Sequence, residues 1–383
     1  MHAPIKKNTS ASQPAKLAYI NNIKILMTIL VVLHHVTVTY GGPGSWYYNE
    51  KTTRLAALIP MNMFVSVNQA FFMGFFFMLA AFFIPGSYDR KGAGEFLKDR
   101  LLKLGIPLAF YSFLLSPLLS YLVYYFAGGN HITYLQYLGG FDSWIDFGVL
   151  WFVAALLFFT VVYVAFRKLF TKRSLKRIAV PNANIILIFG LTLGVVSFLV
   201  RIFFPVGWVL KPVGFQLGHF PQYIAFFIVG LLAFKNNWFE QTPAKTGIKL
   251  QRHALLLLLF FPVFFIIKAI SNAPIDSFVG GFQYQSFLYA VWEQTIGIAI
   301  LIALLSAGKR VWNSSSILLD RLSRSTYAVY IFHPLVIICL SLALRNWGMD
   351  PAFKLLIIAP LAAFGSFLLG FIVLEIPGVK RLL

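Results

Sequence analysis

Long apolar segments recur along the whole chain, and they restrict the fold more than any other feature. The runs are about 18 to 25 residues long, the length that a helix needs to cross a bilayer. Of the 383 residues, 59% are hydrophobic and only 11% are charged. This composition is far from that of soluble proteins. The sequence therefore predicts an all-α fold, a polytopic membrane helical bundle.

The limits of these runs predict ten transmembrane helices. They cover residues 19–40, 57–84, 106–127, 148–166, 183–203, 221–235, 254–270, 287–307, 327–344 and 355–375. We expect one membrane domain over residues 19–376, an N-terminal tail at 1–18 and a C-terminal tail at 377–383. The first run is too long for the apolar part of a cleaved signal peptide, so we interpret it as a retained signal anchor.

The net charge of +20 is distributed unevenly. Lysines and arginines concentrate in the tails and in alternate loops, whereas the opposite loops carry mainly Asp142, Asp146 and Asp276. This asymmetry is the positive-inside pattern, and it predicts that both termini are cytoplasmic. Basic loops beside a membrane contact anionic lipids, so membrane lipids are expected partners and nucleic acid is not. Trp46 and Trp151 fall near the predicted outer boundary, as in aromatic interface belts.

Lys24 and His35 are the first candidates for chemistry, because ionisable side chains inside a bilayer are costly and usually mark a reaction or transport path. Eleven positions at about 100° each bring the two side chains to about 20° apart on one helix face. The same spacing separates them by about 16 Å along the axis. The other ionisable residues that we noted inside predicted spans are His34, Lys268, Glu293, His333 and Glu375.

Glu293 and His35 lie at similar predicted depth, so the carboxylate is a candidate to orient or charge-stabilise the imidazole. A role for Glu293 in helix packing is the alternative. The neighbouring His34 points about 100° away from His35, and we find no convincing further set of ligands. No metal site is therefore predicted.

Five short motifs follow one another along the chain. They are Lys24-x10-His35, Phe75-Phe-Phe-Met-Leu-Ala-Ala-Phe-Phe, Arg100-Leu-Leu-Lys103-Leu-Gly-Ile-Pro107, Leu150-Trp151-Phe152 and Ser323-Arg-Ser-Thr-Tyr-Ala-Val-Tyr-Ile-Phe-His333-Pro. In this order they resemble the acyltransferase-3 family of integral membrane acyltransferases, and the resemblance covers nearly the whole chain. The run Gln216-Leu-Gly-His-Phe-Pro-Gln-Tyr223 and the lack of an extra domain look most like the glucan-biosynthesis-protein-C-like branch.

Two positions depart from the family pattern. Lys103 stands where arginine is usual, so a point charge replaces a bidentate phosphate contact. Ala80 and Ala81 stand where serine and glycine are usual, which changes the surface available for close helix packing.

The resemblance implies transfer of an acyl group, such as acetyl or succinyl, from cytoplasmic acyl-CoA to an acceptor. The acceptor would be a hydroxyl of a carbohydrate or another cell-envelope molecule. The protein would lie in a cell membrane of the bacterial plasma-membrane type. Acyl-CoA would be a substrate, and no separate cofactor is implied. His35 would act as general base, with Glu293 as its partner. Direct transfer and an acyl-histidine intermediate both fit.

The same resemblance suggests binding residues. The acyl-CoA contacts would be Lys24, Arg100, Lys103, Tyr330 and His333, and the acceptor contacts would be Trp151, His219, Gln222 and Tyr223. His333 has a second interpretation, because Pro334 leaves a backbone carbonyl without its helical donor and a nearby polar group can satisfy it. His219, Gln222 and Tyr223 have the alternative role of interfacial anchors.

Two other classes of function also place polar residues inside a helical bundle. One is a transporter or flippase of a small or lipid-linked substrate, although no inverted hydropathy repeat is evident. The other is a non-catalytic membrane assembly factor.

Overall fold

The computed structural model describes residues 17–170 and 177–383. Over these residues the chain is helical and contains no β-strand, only an isolated bridge between Leu210 and Phe215. The first helices are α1 (Ala18–Tyr40), α2 (Leu55–Gln69), α3 (Phe72–Arg100), α4 (Ile106–Phe110), α5 (Ser116–Phe126), α6 (Tyr134–Gly139), α7 (Trp151–Leu169) and α8 (Ala183–Arg201). They are followed by α9 (Phe220–Asn236), α10 (Trp238–Gln241), α11 (Ala244–Phe260), α12 (Pro262–Ser271), α13 (Asp276–Val279), α14 (Tyr284–Val311), α15 (Ile317–Ala343) and α16 (Pro351–Glu375). The predicted all-α fold is confirmed.

Nine helical stretches within the described ranges are long and apolar enough to cross a membrane. Eight of them correspond one to one to predicted helices. The ninth, Leu55–Phe126, contains both the second and the third predicted helix. At 1.5 Å per residue its 72 residues would measure about 108 Å, more than three times the hydrocarbon thickness, so it accounts for more than one crossing. The chain is a multi-pass membrane protein.

The division into tails and one membrane domain stays a prediction. Residues 1–16 of the predicted N-terminal tail lie outside the described residues.

Breaks subdivide the long stretch Leu55–Phe126. The helix is interrupted between α2 and α3, and Gly92 inside α3 has φ 73° and ψ 166°, a conformation that glycine adopts without steric cost. Further along, Pro107 has no N–H to offer the carbonyl of Lys103. That carbonyl instead accepts a hydrogen bond from the hydroxyl of Tyr327 at 3.2 Å, which ties this segment to α15.

The core is built from pairs of closely packed helices. The most extensive contacts join α3 to α9, α8 to α14, and α15 to α16, while α1 packs on both α15 and α16. Small residues allow the close approach. A Cβ atom at Gly230 of α9 would collide with the backbone carbonyl of Met78 in α3, and one at Gly74 of α3 would collide with the ring of Phe226 in α9.

The loops gather at two ends of the bundle. At one end, Asn22 donates to the carbonyl of Trp312 at 2.6 Å, joining the start of α1 to the end of α14. At the other end, Arg54 pairs with Asp350 at 2.7 Å, joining the starts of α2 and α16. The first end collects segments that the charge pattern assigns to the cytoplasm. The side of the membrane that each end faces stays a prediction.

The close contact between α3 and α9 predicts a steric effect at Gly230. We expect Gly230→Val to lower the free energy of unfolding by about 1–3 kcal/mol, because the backbone of Met78 cannot move aside. Thermal unfolding of the detergent-solubilised protein measures this. Gly94→Val is the matched control, since a Cβ there meets nothing within 4 Å. Equal melting temperatures for the two variants would contradict the packing described.

Candidate active site

His35 lies near the end of α1 and contacts a histidine of α15 and a tryptophan of the loop that follows α1. Its Nδ1 atom is 2.9 Å from the carbonyl oxygen of Val31 and 3.1 Å from Nε2 of His333. The indole of Trp46 stacks on the His35 ring, with ring centroids 4.2 Å apart and planes at 28°. A ring from the next loop and a ring from a helix almost 300 residues away thus fix the orientation of one imidazole.

The position of His333 follows from the proline after it. Pro334 lacks the N–H that would bond the carbonyl of Tyr330 four residues earlier. Nδ1 of His333 lies 2.8 Å from that carbonyl oxygen and satisfies it. His333 therefore satisfies the carbonyl that Pro334 leaves without a donor, as its second interpretation predicts. The same ring also contacts His35.

These contacts determine where the protons lie. A carbonyl oxygen only accepts, so Nδ1 of His333 must carry a proton and its Nε2 must have a free lone pair. Nδ1 of His35 also faces a carbonyl, that of Val31, so it carries the proton of this ring, and its single N–H is shared between that carbonyl and Nε2 of His333. The remaining nitrogen of His35, Nε2, then has a lone pair and no hydrogen-bond partner within residues 17–170 and 177–383. A proton acceptor held in one tautomer is the arrangement that general-base catalysis requires.

His34 belongs to different surroundings. Its ring stacks on Phe72 at 5.0 Å, and its Nδ1 lies 3.3 Å from the side-chain amide of Asn68. The two adjacent histidines therefore contact different helices. In the described part of the chain, no three His, Cys, Asp or Glu side chains form a group that suits a metal ion.

Glu293 is not beside His35; the predicted pairing is absent, and His333 takes that place. Glu293 is 1% exposed and forms an ion pair with Arg201, which is 0% exposed. Arg201 also contacts Nδ1 of His219 at 3.1 Å and donates to the carbonyl of Gly218 at 3.1 Å. A carboxylate inside a bundle is costly unless it is paired, and the guanidinium supplies that partner.

Amide side chains extend this second cluster towards α2. Gln294 donates to Glu293 at 3.1 Å, and Gln222 donates to Gln294 at 2.8 Å. Gln222 also donates to the carbonyl of Ala70 at 2.7 Å, at the break between α2 and α3. We call Arg201, His219, Gln222, Glu293 and Gln294 the arginine cluster. It is buried and joins the end of α8 and the start of α9 to α14.

The residues predicted to contact the acceptor lie in or beside this cluster. His219, Gln222 and Tyr223 are buried, so they are not presented at an interface. The hydroxyl of Tyr223 accepts from Gln69 at 3.2 Å, and its ring lies 5.4 Å from that of Trp151. Trp151 is half-buried.

The three cations predicted to contact acyl-CoA, Lys24, Arg100 and Lys103, differ in whether a carboxylate pairs with them. The ammonium of Lys24 is half-buried in α1 and has neither an ion pair nor a hydrogen bond to any described residue. Arg100 lies over the ring of Phe96 at 5.1 Å, and its Nε is buried without a partner. Lys103 is more exposed and pairs with Asp99 at 3.2 Å. Two of the three charges are thus available to an anion.

Tyr330 uses its hydroxyl internally. It donates to the backbone carbonyl of Val149, and its ring lies 6.1 Å from that of Phe152. The tyrosine therefore connects α15 to the start of α7, one turn before His333.

Two central residues were not predicted from the sequence. Arg201 falls inside the predicted span 183–203, and a charge inside a span is the same signal that identifies Glu293, so this signal is sufficient to find it. Trp46 was interpreted only as an interfacial aromatic. No sequence pattern indicates that its loop folds back onto His35.

The fold and the site define a polytopic membrane protein whose helical bundle holds two hydrogen-bonded histidines, His35 and His333. The family model for the acyltransferase domain, acyltransferase 3, matches residues 17–375, and the chain belongs to this family. No curated protein and no solved structure gives a significant match. Family membership makes the protein an acyltransferase that acts on groups other than aminoacyl groups, which favours an enzyme over a transporter or an assembly factor.

The arginine cluster predicts a large effect of breaking its ion pair. We expect Arg201→Met to destabilise the protein by about 3–5 kcal/mol, because Glu293 would remain buried and uncompensated. The double variant Arg201→Met/Glu293→Leu should recover much of that loss. Thermal unfolding of both variants measures the difference.

The exposed pair of Lys103 and Asp99 provides the control. Lys103→Gln should change stability by less than about 1 kcal/mol, since exposed ion pairs contribute little. An Arg201→Met protein as stable as Lys103→Gln would contradict the structural role assigned to the arginine cluster.

Proposed function

We propose that this acyltransferase moves an acyl group, acetyl or succinyl, from cytoplasmic acyl-CoA to a hydroxyl of a carbohydrate or another cell-envelope acceptor. It would act in the cell membrane, of the bacterial plasma-membrane type. The run Gln216–Tyr223 supports placing it near the glucan-biosynthesis-protein-C-like branch. The observation that carries the proposal is the hydrogen bonding of His35, which leaves Nε2 as a free proton acceptor.

His35 is the proposed general base. An active base is commonly oriented by a third group that holds its other nitrogen. Here Val31 and His333 do so at 2.9 and 3.1 Å from Nδ1. His333 in turn is held by the carbonyl of Tyr330. His333 is thus a positioning residue in this proposal, and as His35 becomes positively charged both of its Nδ1 contacts strengthen.

The acyl-CoA head group would bind at the predicted cytoplasmic end. The unpaired Lys24 and Arg100 supply positive charge for its phosphates, with Lys103 as a weaker contributor because Asp99 already pairs with it. On α15, His333 lies six positions after Tyr327, which contacts the Lys103 carbonyl, and this corresponds to a rise of about 9 Å. The extended pantetheine arm is long enough to bridge such a distance and would bring the thioester to His35 past Tyr330.

Direct transfer is the proposed reaction. The acceptor hydroxyl oxygen attacks the thioester carbonyl carbon while its proton moves to Nε2 of His35. The carbonyl electron pair shifts to oxygen, giving a tetrahedral intermediate. When the carbonyl re-forms, the carbon–sulfur bond breaks, and the departing CoA thiolate takes the proton from the imidazolium. The ester product and free CoA leave, and His35 returns to its starting tautomer.

The acceptor would approach from the predicted outer side. Trp151, half-buried, is the proposed direct contact for a sugar face. His219, Gln222 and Tyr223 are buried and hydrogen-bonded, so their proposed contribution is to form the wall behind Trp151. Glu293 has a positioning role in this proposal, since with Arg201 it holds that wall in place.

The first prediction of the proposal concerns the base. We expect His35→Ala to slow acyl-CoA-dependent thiol release by 10²–10⁴-fold, the usual contribution of a general base. The measurement uses purified protein in liposomes with acetyl-CoA and succinyl-CoA as donors and a glucan oligosaccharide as acceptor. His34→Ala is the matched control, because His34 faces Asn68 and Phe72 instead. Similar rates for wild type and His35→Ala would remove His35 from the mechanism.

The second prediction concerns the donor. Lys24→Gln and Arg100→Gln should each raise the KM for acetyl-CoA by about 10–100-fold, since a hydrogen bond to a charged group contributes about 1.5–3 kcal/mol. Lys103→Gln should have a smaller effect because Asp99 pairs with that lysine. Acetyl-pantetheine, which lacks the CoA phosphates, is the matched substrate. If Lys24→Gln and Arg100→Gln raise the KM for acetyl-pantetheine as much as the KM for acetyl-CoA, these cations do not bind the phosphates.

A further inference from the structure

Trp46 carries a polar group beside His35 that the proposed reaction leaves unused. Its indole stacks on His35 at 4.2 Å and lies 6.2 Å from the ring of His333, nearly parallel to both. The indole Nε1 is buried and has no hydrogen-bond partner in the described chain. A buried donor that makes no hydrogen bond costs about 1–3 kcal/mol, and a substrate atom bound beside His35 can supply the missing acceptor.

The loop that carries Trp46 is fastened at both ends. After α1 ends at Tyr40, the backbone folds back so that the N–H of Glu50 donates to the carbonyl of Thr39 at 2.8 Å. The carboxylate of Glu50 accepts from the buried Lys354 at 2.5 Å. Asp350 accepts from Thr52 at 2.9 Å as well as from Arg54. These bonds clamp residues 41–54 against the start of α16.

A further pair of contacts fixes the tryptophan itself. The side chain of Asn49 donates to the carbonyl of Trp46 at 3.1 Å. The hydroxyl of the next residue, Tyr47, lies 3.0 Å from that of Tyr111. Trp46 is therefore held in position before a substrate binds, and a donor that is already oriented needs no reorganisation during the reaction.

Nearby donors on α1 are already committed. The hydroxyl of Thr37 donates to the carbonyl of Leu33 at 2.8 Å, and that of Thr39 donates to the carbonyl of His35 at 2.9 Å. The side-chain amide of Asn68 lies 3.2 Å from the carbonyl of Leu30 and contacts His34. Among these groups, only the indole N–H combines direct contact with His35 and a free donor.

We propose that the Nε1–H of Trp46 donates a hydrogen bond to the thioester carbonyl oxygen as that oxygen becomes negatively charged. This inference rests on the proposed function. While His35 Nε2 takes the proton of the attacking hydroxyl, the carbonyl oxygen gains the electron pair and accepts the indole N–H. The bond is strongest in the tetrahedral intermediate and weakens when the carbonyl re-forms and the thiolate leaves. An oxyanion donor of this kind contributes mainly to kcat, typically 10²–10³-fold.

Removing the N–H while keeping the stacked ring tests this assignment. Trp46→Phe retains an aromatic ring, and replacement of Trp46 by 3-benzothienylalanine retains the bicyclic shape with sulfur in place of N–H. For both we expect kcat for acetyl-CoA thiol release to fall by 10²–10³-fold with KM within a few-fold of wild type. Trp144→Phe, an exposed tryptophan in another loop, is the matched control and should retain wild-type kcat.

The outcomes separate the two proposals. If wild type releases thiol in a His35-dependent manner and the benzothienyl variant keeps its kcat, Trp46 acts only by stacking and the donor role is overturned, while the proposed function stands. A rise in KM alone, with kcat unchanged, also overturns it. If wild type releases no thiol, the proposed function fails and this inference fails with it. Melting temperatures equal to wild type confirm that each variant is folded.

Discussion

The carbonyl of Tyr330, left without its helical donor by Pro334, organises the surroundings of His35. Inside a membrane such a group has no water to bond, and leaving it unpaired costs several kcal/mol. Nδ1–H of His333 satisfies it at 2.8 Å, which forces the other nitrogen of that ring to accept. His35 must then donate from Nδ1, and its Nε2 keeps a lone pair. A backbone irregularity in α15 thus sets the chemical state of a side chain in α1.

The break between α2 and α3 connects this site to the arginine cluster. Three consecutive residues there bond to three different partners. Asn68 contacts His34, Gln69 donates to Tyr223, and the carbonyl of Ala70 accepts from Gln222. The interrupted helix therefore links the helix of the proposed base to the wall proposed to lie behind the acceptor.

Much of the fold was predictable because the membrane imposes a simple rule of length and hydrophobicity. All ten predicted spans fall on observed helical stretches, and none runs more than two residues past the end of its stretch. The role of His333 at Pro334 was predictable for a similar reason, since a proline frees a known carbonyl. The partner of His35 was not. Depth along a helix identified Glu293 as a candidate partner of His35. Depth does not specify how a helix is rotated about its axis or which helix packs beside it, and the carboxylate of Glu293 pairs with Arg201 instead. The position of Trp46 depends on contacts between the first loop and α16, some 300 residues away along the chain, and no local pattern encodes them.

The tautomer of His35 is the central claim, because the base, the role of His333 and the use of Nε2 all depend on it. Nitrogen-15 NMR of the histidine-labelled protein in lipid, at an alkaline pH where imidazole is neutral, measures it directly. His35→Ala and His333→Phe proteins assign the signals. We expect both rings to carry their proton on Nδ1 and Nε2 of His35 to be unprotonated. A proton on Nε2 of His35 would contradict this claim, since that nitrogen then has no lone pair with which to accept a proton from the acceptor hydroxyl.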